Sequence, residues 1–376
     1  MSDLNISESL TFSQPIKQQD GVLNWVSFKS SSGLGAEYGP GDNASFKISS
    51  STQYWIPQRS YIKYTLTPTA TGQLNPSGGT SVFSSIQTSL GGLMLPLSRN
   101  FAIQNSIKNN SSTNEKKNIL TKFQAFTDNG TGLATTAATP IPIVTEMLMP
   151  FKITSNQYVP LSFLTGGVQM YFNMSAETQV VTAGTYKISN FEIICCLLTP
   201  TPMYMNEVSE ALAAGQTMKM QIELFKSFSN ITTKASETSI QIQTGYLGSI
   251  NSVFLSLRSD NSFSSQEGIA SFNIDMDGVR YPLNVDVASG GSAFYQTLAG
   301  YNTDIGSISV PNDSQKFYSV PFKSNDMPGS GLPSQNGQIN LNLKTNALTN
   351  TKLETIIHYD GEIVISQSAV LLRVDI

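Results

Sequence analysis

The chain carries one histidine, His358, and two cysteines, Cys195 and Cys196. Metal centres and acid–base dyads usually recruit histidine. His358 stands in Ile356-Ile357-His358-Tyr359-Asp360 with no Cys or second His nearby, so it reads as a strand residue beside a turn. Adjacent residues on a strand point to opposite faces. Cys195 and Cys196 are therefore poorly placed to bridge each other, and no cationic neighbour favours a thiolate, so both read as buried free thiols. Asn273-Ile274-Asp275-Met276-Asp277-Gly278 imitates the first half of a calcium loop, but the twelfth position is Asn284 where a bidentate Glu is required. Phe272, Ile274 and Met276 alternate there, as in a strand that ends in an Asp-Gly turn. Asp260, Glu267, Asp275 and Asp286 could supply the paired carboxylates of a glycosidase, a pair that only the tertiary fold can assemble. Surface charge is the simpler reading of all four. A phosphate-binding Gly-Lys-Ser/Thr loop and a Gly-x-Ser-x-Gly elbow are both absent. Gly290-Gly291 follows residues 285–287 without a dinucleotide fingerprint. Asn110 and Asn129 head Asn-x-Ser/Thr triplets that a chain rich in Ser and Thr produces by chance. The residues thus predict no catalytic, cofactor-binding or metal-ligating site.

The composition points the same way. Of 376 residues, 13% are charged, about half the usual share. Ser, Thr, Asn and Gln number about 134 and supply most of the polarity. With 22 Lys+Arg against 26 Asp+Glu there is no basic excess for sequence-specific nucleic-acid binding. The longest apolar run, 193–198, is far short of the roughly 20 residues of a spanning helix. The start, Met1-Ser2-Asp3-Leu4-Asn5, does not read as a signal peptide. Abundant uncharged polar residues, 28 Gly and 17 Pro suit short strands joined by long loops.

The elements repeat. Met149-Pro150-Phe151-Lys152 resembles Val320-Pro321-Phe322-Lys323 at an offset of 171 (322 − 151). The same offset carries Gly166 onto Gly337, and Val168, Met170 and Phe172 onto Ile339, Leu341 and Leu343. These apolar residues belong to strictly alternating runs, each a strand with one buried face. Two similar units follow, separated near residue 205. Residues 206–215 read as a linker helix capped by Asn206 and stopped by Gly215, with Glu207 and Glu210 toward its positive end. Strands are predicted at 45–50, 61–67, 100–107, 146–153, 168–174 and 187–198. In the second unit they fall at 218–228, 239–243, 252–258, 271–276, 317–322, 338–343, 355–359 and 369–374. Asp277-Gly278 and Asp360-Gly361 read as tight turns at strand ends. A helix is predicted over 113–126, with Ile119, Leu120, Phe123 and Phe126 on one face. Residues 68–80, 127–140 and 324–336 read as long loops. The first 40 residues lack periodicity and read as an arm, with Lys17-Gln18-Gln19-Asp20 its most polar point.

Three stretches carry a family resemblance. Residues 158–172, from Tyr158-Val159-Pro160-Leu161 through Gly166-Gly167-Val168 to Tyr171-Phe172, resemble a Pro-Leu segment leading into a late strand of a first jelly roll. Residues 327–343, which include Ser330-Gly331-Leu332-Pro333-Ser334 and Ile339-Asn340-Leu341-Asn342-Leu343, resemble its counterpart in a second. Gly278-Val279-Arg280-Tyr281-Pro282, followed by Tyr295 and Leu298, resembles a Gly-x-x-Tyr-Pro…Tyr…Leu block. On these residues, and on order, spacing and length over most of the chain, the protein resembles the double jelly-roll major capsid proteins of the adenovirus-like lineage. His358-Tyr359-Asp360 stands where the commonest form has an Asn-Tyr-Asn-like signature, which places the resemblance in a divergent branch. Within the lineage the size and composition are similar to the small tailless membrane-containing bacteriophages of the finnlakevirus type.

The resemblance implies an all-β fold of two tandem eight-stranded jelly rolls with a few short helices. Its expected parts are an arm (1–40), a first jelly roll (41–205), a linker helix (206–215) and a second jelly roll (216–376). It implies a structural protein, not an enzyme, without cofactor. Homotrimeric pseudo-hexagonal capsomers would tile an icosahedral shell, located in the virion and assembled in the host cytoplasm. Implied partners are copies of itself and neighbouring capsomers, penton or minor capsid proteins, and an internal membrane met by the N-terminal arm. The alternatives are a phage spike, fibre or adhesin built of β-sandwiches, and a carbohydrate-active enzyme using the four acidic residues named above.

Overall fold

The structure is a computed structural model, and it describes residues 21–31, 36–99, 101–110, 114–127, 132–149, 151–153, 158–232, 237–259, 269–282, 287–288, 318–323, 331–345 and 351–374. Alternating sequence segments become strands, and the strands sort into two sandwiches of the same topology. In the first, one sheet has the order β1 (Gly21–Lys29), β12 (Tyr186–Pro200), β3 (Tyr54–Pro68), β9 (Ile141–Glu146). Its partner sheet has the order β2 (Asn43–Ile48), β11 (Val168–Met174), β5 (Phe83–Leu90), β6 (Leu93–Met94), with β7 (Ser98–Arg99) also paired to β5. In the second sandwich one sheet has the order β10 (Phe151–Ile153), β13 (Met218–Thr232), β22 (Thr351–Ile365), β15 (Leu247–Ser259), β19 (Tyr318–Pro321). Here β20 (Leu332–Ser334) adds to β15, and β23 (Val370–Arg373) adds to β22. Its partner sheet has the order β14 (Glu237–Gln243), β21 (Gln338–Thr345), β16 (Ile269–Met276), β17 (Val279–Tyr281), with β18 (Val287–Ala288) paired to β16. All these pairings are antiparallel.

Set side by side, β1-β12-β3-β9 matches β13-β22-β15-β19, and β2-β11-β5-β6 matches β14-β21-β16-β17. Apart from the hairpins β5–β6 and β16–β17, each set of eight places chain-adjacent strands in opposite sheets, the wiring of a jelly roll. The all-β, two-roll fold expected from the sequence is what the structure shows. The offset of 171 is physical as well: Gly166 and Gly337 both take left-handed φ, +84° and +65°, just ahead of the alternating strands β11 and β21. Aromatic rings fill the first sandwich. Phe191 on β12 meets Phe46 on β2, Phe83 on β5 and Phe172 on β11 at centroid distances of 4.7, 5.7 and 5.4 Å. In the second, Phe272 on β16 meets Tyr318 on β19 at 5.7 Å.

Several local expectations are corrected. The presumed arm contains β1, paired in register with β12 from Gly21↔Pro200 to Lys29↔Glu192. As an edge strand it buries neither face fully, which is why its apolar residues show no clean alternation. The predicted strand at 100–107 is the helix α1 (Phe101–Asn110), with Phe101 and Asn105 buried one turn apart. A second helix, α2 (Asn114–Gln124), fulfils the helix expected over 113–126. Leu120 and Phe126 are buried, but Ile119 and Phe123 are exposed, so the four do not share one buried face. The short helix α3 (Glu177–Val180) was not anticipated. The linker helix is α4 (Pro202–Ala213), capped by Thr201 and not by Asn206, with Pro202 in its first turn and Gly215 at φ +86° beyond its end. The strand expected over 146–153 is two strands, β9 and β10, that belong to different sandwiches. Two of the presumed loops are partly ordered by each other: β4 (Gly72–Gln73) pairs with β8 (Ala134–Thr135). Residues 324–330 of the third lie outside the described residues.

Candidate functional site

Among the described residues, those with chemical potential are dispersed over β12, β16 and β22. Cys195 and Cys196 are free and fully buried on β12. Burial pushes both thiols up, away from thiolate. The Cys196 N–H donates to Ser60 Oγ at 2.9 Å. His358 lies on β22 between two rings, Phe225 on β13 at 4.4 Å and Phe254 on β15 at 4.6 Å, with its Nδ1 3.6 Å from Glu223. The turn expected at Asp360-Gly361 is not there. β22 runs through both residues, and buried Asp360 accepts from Ser249 Oγ at 2.9 Å and Asn251 Nδ2 at 2.7 Å. Those bonds compensate a carboxylate that would otherwise be costly to bury.

Asp275 lies on β16 opposite Arg280 of β17. Asp260, Glu267 and Asp286 lie outside the described residues, as do Gly290, Gly291, Asn284 and Asn129. Among the described residues no cluster of three or more His, Cys, Asp or Glu could hold a metal ion. The Asp277-Gly278 turn is present, with φ +53° and +80°. Asp277 serves as a clamp: its carboxylate accepts from the backbone N–H of Gln335 at 2.7 Å and of Asn336 at 2.9 Å. A shallow polar cleft of about 450 Å³ lies between Lys47, Ser49–Ser51 and Leu161–Gly167, all in the first roll. Among the described residues, no helix is long and apolar enough to cross a membrane.

The surfaces are more informative than the side-chain chemistry, and sequence reasoning missed them. The outer face of the sheet β13-β22-β15 is inside the molecule: Phe254 and Ile356 are 1% and 2% exposed, and Glu354 and Asp360 are buried beside them. Elements of the first roll reach this seam. β7 packs against β13, and Gln104 Nε2 of α1 donates to Ser227 Oγ of β13 at 2.7 Å. β10, from the first half of the chain, closes the edge of β13 with the register Phe151↔Leu224, Lys152↔Glu223, Ile153↔Ile222.

The corresponding outer face of β1-β12-β3-β9 is only partly covered: Tyr54, Ile56, Cys196 and Leu198 at one end are buried, Tyr54 beside Tyr204 of α4 at 6.2 Å, and the rest is exposed among the described residues. It carries Trp25, 54% exposed, and Tyr61 and Val144, each 37% exposed. One ion cluster crosses it, in which Glu192 pairs with Lys29, with Lys63 at 3.2 Å, and with Ser27 Oγ at 2.9 Å. An alternation count cannot reveal this contrast, because the two sheets have similar patterns and differ in what covers them.

The wiring defines the class: two jelly rolls in one chain, each built on a core of two four-stranded sheets. Solved structures similar to it include viral major capsid proteins. The VP54 protein of PBCV-1, fitted into a reconstruction of the virophage Sputnik, superposes with a TM-score of 0.70 at 11% identity, over 94% of this chain and 96% of that one. The Faustovirus major capsid protein gives 0.59 at 8% identity, over 92% and 90%. The mavirus major capsid protein gives 0.52 at 11% identity, over 96% and 91%. At these identities the likeness establishes the fold. No protein-family profile matches the sequence, and no curated protein matches it.

Proposed function

We propose that the chain is a structural major capsid protein whose copies assemble into homotrimeric, pseudo-hexagonal capsomers that tile an icosahedral shell. The observation that carries this reading is end-to-end superposition, through both rolls, on capsid proteins of several viruses. The matched strand orders support it physically: two similar lobes per chain make six per trimer, a block that can occupy a hexagonal lattice position. In this reading the protein is not an enzyme and takes no cofactor.

The rolls are read as two domains joined by α4, the first extended to Gly21 by β1. The location is the virion, with assembly in the host cytoplasm. The proposed partners are neighbouring capsomers, penton or minor proteins and, through the N-terminal arm (1–40), an internal viral membrane. A tailless bacteriophage of the finnlakevirus type is the proposed source. The test is light scattering of the purified protein together with electron microscopy of particles that contain it. A stable species of three times 40.7 kDa, and hundreds of copies per particle, are expected. A monomer in solution, or tens of copies per particle as for a spike, would overturn the reading.

A further inference from the structure

We propose that Asn336 is a site of spontaneous deamidation, with water as the co-reactant, and that Asp277 is the residue that holds the reaction off. The proposal does not depend on the capsomer reading. Asn336 is exposed and is followed by Gly337. In such a pair the backbone nitrogen of the glycine is the nucleophile. It bonds to the Asn side-chain carbon Cγ, the Cγ–Nδ2 bond breaks, and the proton of the attacking nitrogen leaves with ammonia. Water then opens the resulting succinimide at one of its two carbonyls and leaves aspartate or isoaspartate. Nothing is oxidised or reduced. Glycine favours the attack because it has no Cβ to shield its nitrogen.

The fold holds both reacting groups out of this geometry. The Gly337 N–H donates to the Ser334 carbonyl at 3.2 Å, which makes residues 334–337 a β-turn with Asn336 at its third position. In both common turn types that position has a ψ of about 0°. Bringing Cγ onto the Gly337 nitrogen requires turning the Asn336 Cα–C bond out of the turn. Gly337 is pinned on its other side as well, where its carbonyl accepts from the N–H groups of Thr244 at 2.8 Å and Gly245 at 3.2 Å. Asp277 fixes the middle of the turn. Its carboxylate accepts from the N–H groups of Gln335 at 2.7 Å and Asn336 at 2.9 Å. Bonds to an ionised acceptor are the strong ones of this set. Reaction therefore requires a local opening in which they break.

The product works against the clamp. Deamidation puts a carboxylate on the residue whose own N–H binds Asp277, so two like charges meet in one turn. Isoaspartate also adds a methylene to the main chain two residues ahead of Gln338, where β21 begins its pairing with Gln243 of β14. β21 lies between β14 and β16 inside its sheet. A single irreversible reaction on an exposed turn thereby loosens an inner strand, and the Asp277 clamp sets how long the second roll stays intact.

The experiment incubates the full chain at neutral pH and follows residue 336 by peptide mass spectrometry, beside a synthetic peptide of residues 331–341 as the unfolded reference. The wild type is expected to deamidate at least about tenfold more slowly than the peptide, and Asp277→Ala to close most of that gap, tenfold being about the worth of one charge-assisted hydrogen bond. Asp277→Asn keeps one acceptor and is expected between the two. Circular dichroism checks that each variant is folded. Wild-type deamidation at the peptide's rate overturns the proposal. So does a folded Asp277→Ala variant that reacts as slowly as the wild type. Should Asp277→Ala not fold, the same comparison is made with Asp277→Asn, and a rate equal to the wild type's overturns the role of Asp277. Asn336→Asp tests the consequence by hydrogen exchange: the amides of residues 335, 336 and 338 are expected to exchange faster than in the wild type, and unchanged exchange overturns the loosening of β21.

Discussion

Glu192 shows how this chain uses its few charges. It lies on β12 with its side chain 13% exposed and takes Lys29, Ser27 and Lys63 as partners from the strands on either side. Burial pushes its carboxyl up, but those three partners outweigh it and hold the group down at about 2. A carboxylate depressed in the fold contributes stability that is complete above its unfolded value and is lost as pH falls through the folded one. Glu192→Gln is therefore expected to melt below the wild type at pH 7. The gap should narrow from pH about 4.5 downward and close near pH 2. Thermal melts across that range test this, and a gap independent of pH would show that the ion pairs contribute nothing. The lysines are 40% and 45% exposed, so the effect at pH 7 is modest. At this scale sequence reading did well for the cysteines, where adjacency on a strand led to buried free thiols, but it missed Arg59, whose charge acts on Cys196 against the effect of burial. It misjudged Asp360, because an Asp-Gly pair has strong turn propensity while the bonds from Ser249 and Asn251 that keep it in β22 come from over a hundred residues away.

Among the elements, strands with one buried face were legible and elements shaped by neighbours were not. β11 and β21 alternate cleanly and follow glycines with positive φ, so pattern and turn chemistry agree. α1 was misread because Phe101, Ile103 and Ile107 are compatible with a strand, whereas the fold buries Phe101 with Asn105. β10 was misassigned because its partner β13 lies in the other roll, a fact no local window contains. The Asp277 turn was legible as a turn but not as a clamp on residues 335 and 336. Asp277→Ala removes two charge-assisted acceptors and the turn preference together. It should cost about 1–3 kcal/mol in denaturant unfolding. Asp277→Asn keeps one side-chain acceptor and the tolerance for positive φ, so it should cost less. Equal costs for the two variants would assign the whole effect to charge and none to the turn.

For the whole molecule the capsomer reading proposed above offers a cause for the low charge. Several described surface carboxylates have cationic partners: Glu192 with Lys29 and Lys63, Glu37 with Lys187, Glu146 with Lys116, and Glu362 with Lys219 and Arg373. The exposed part of the β1-β12-β3-β9 face is apolar at Trp25, Tyr61 and Val144, and its carboxylate Glu192 is paired with Lys29 and Lys63. Association through such a surface removes apolar area from water without having to strip unpaired charges, whose desolvation often exceeds what a new pair returns. Salt distinguishes this from assembly by charge complementarity. Added sodium chloride shortens the Debye length from about 10 Å at 0.1 M to about 3 Å at 1 M and weakens contacts between exposed charges. Sulfate, being excluded from protein surfaces, strengthens apolar burial. The oligomer is thus expected to change its dissociation constant by less than about tenfold between 0.1 and 1 M sodium chloride, and to tighten in sulfate. Sedimentation or mass photometry along a dilution series would measure both. Loosening by orders of magnitude in sodium chloride would mean that charged groups outside this face hold the copies together, and that the shortage of charge does not arise from assembly.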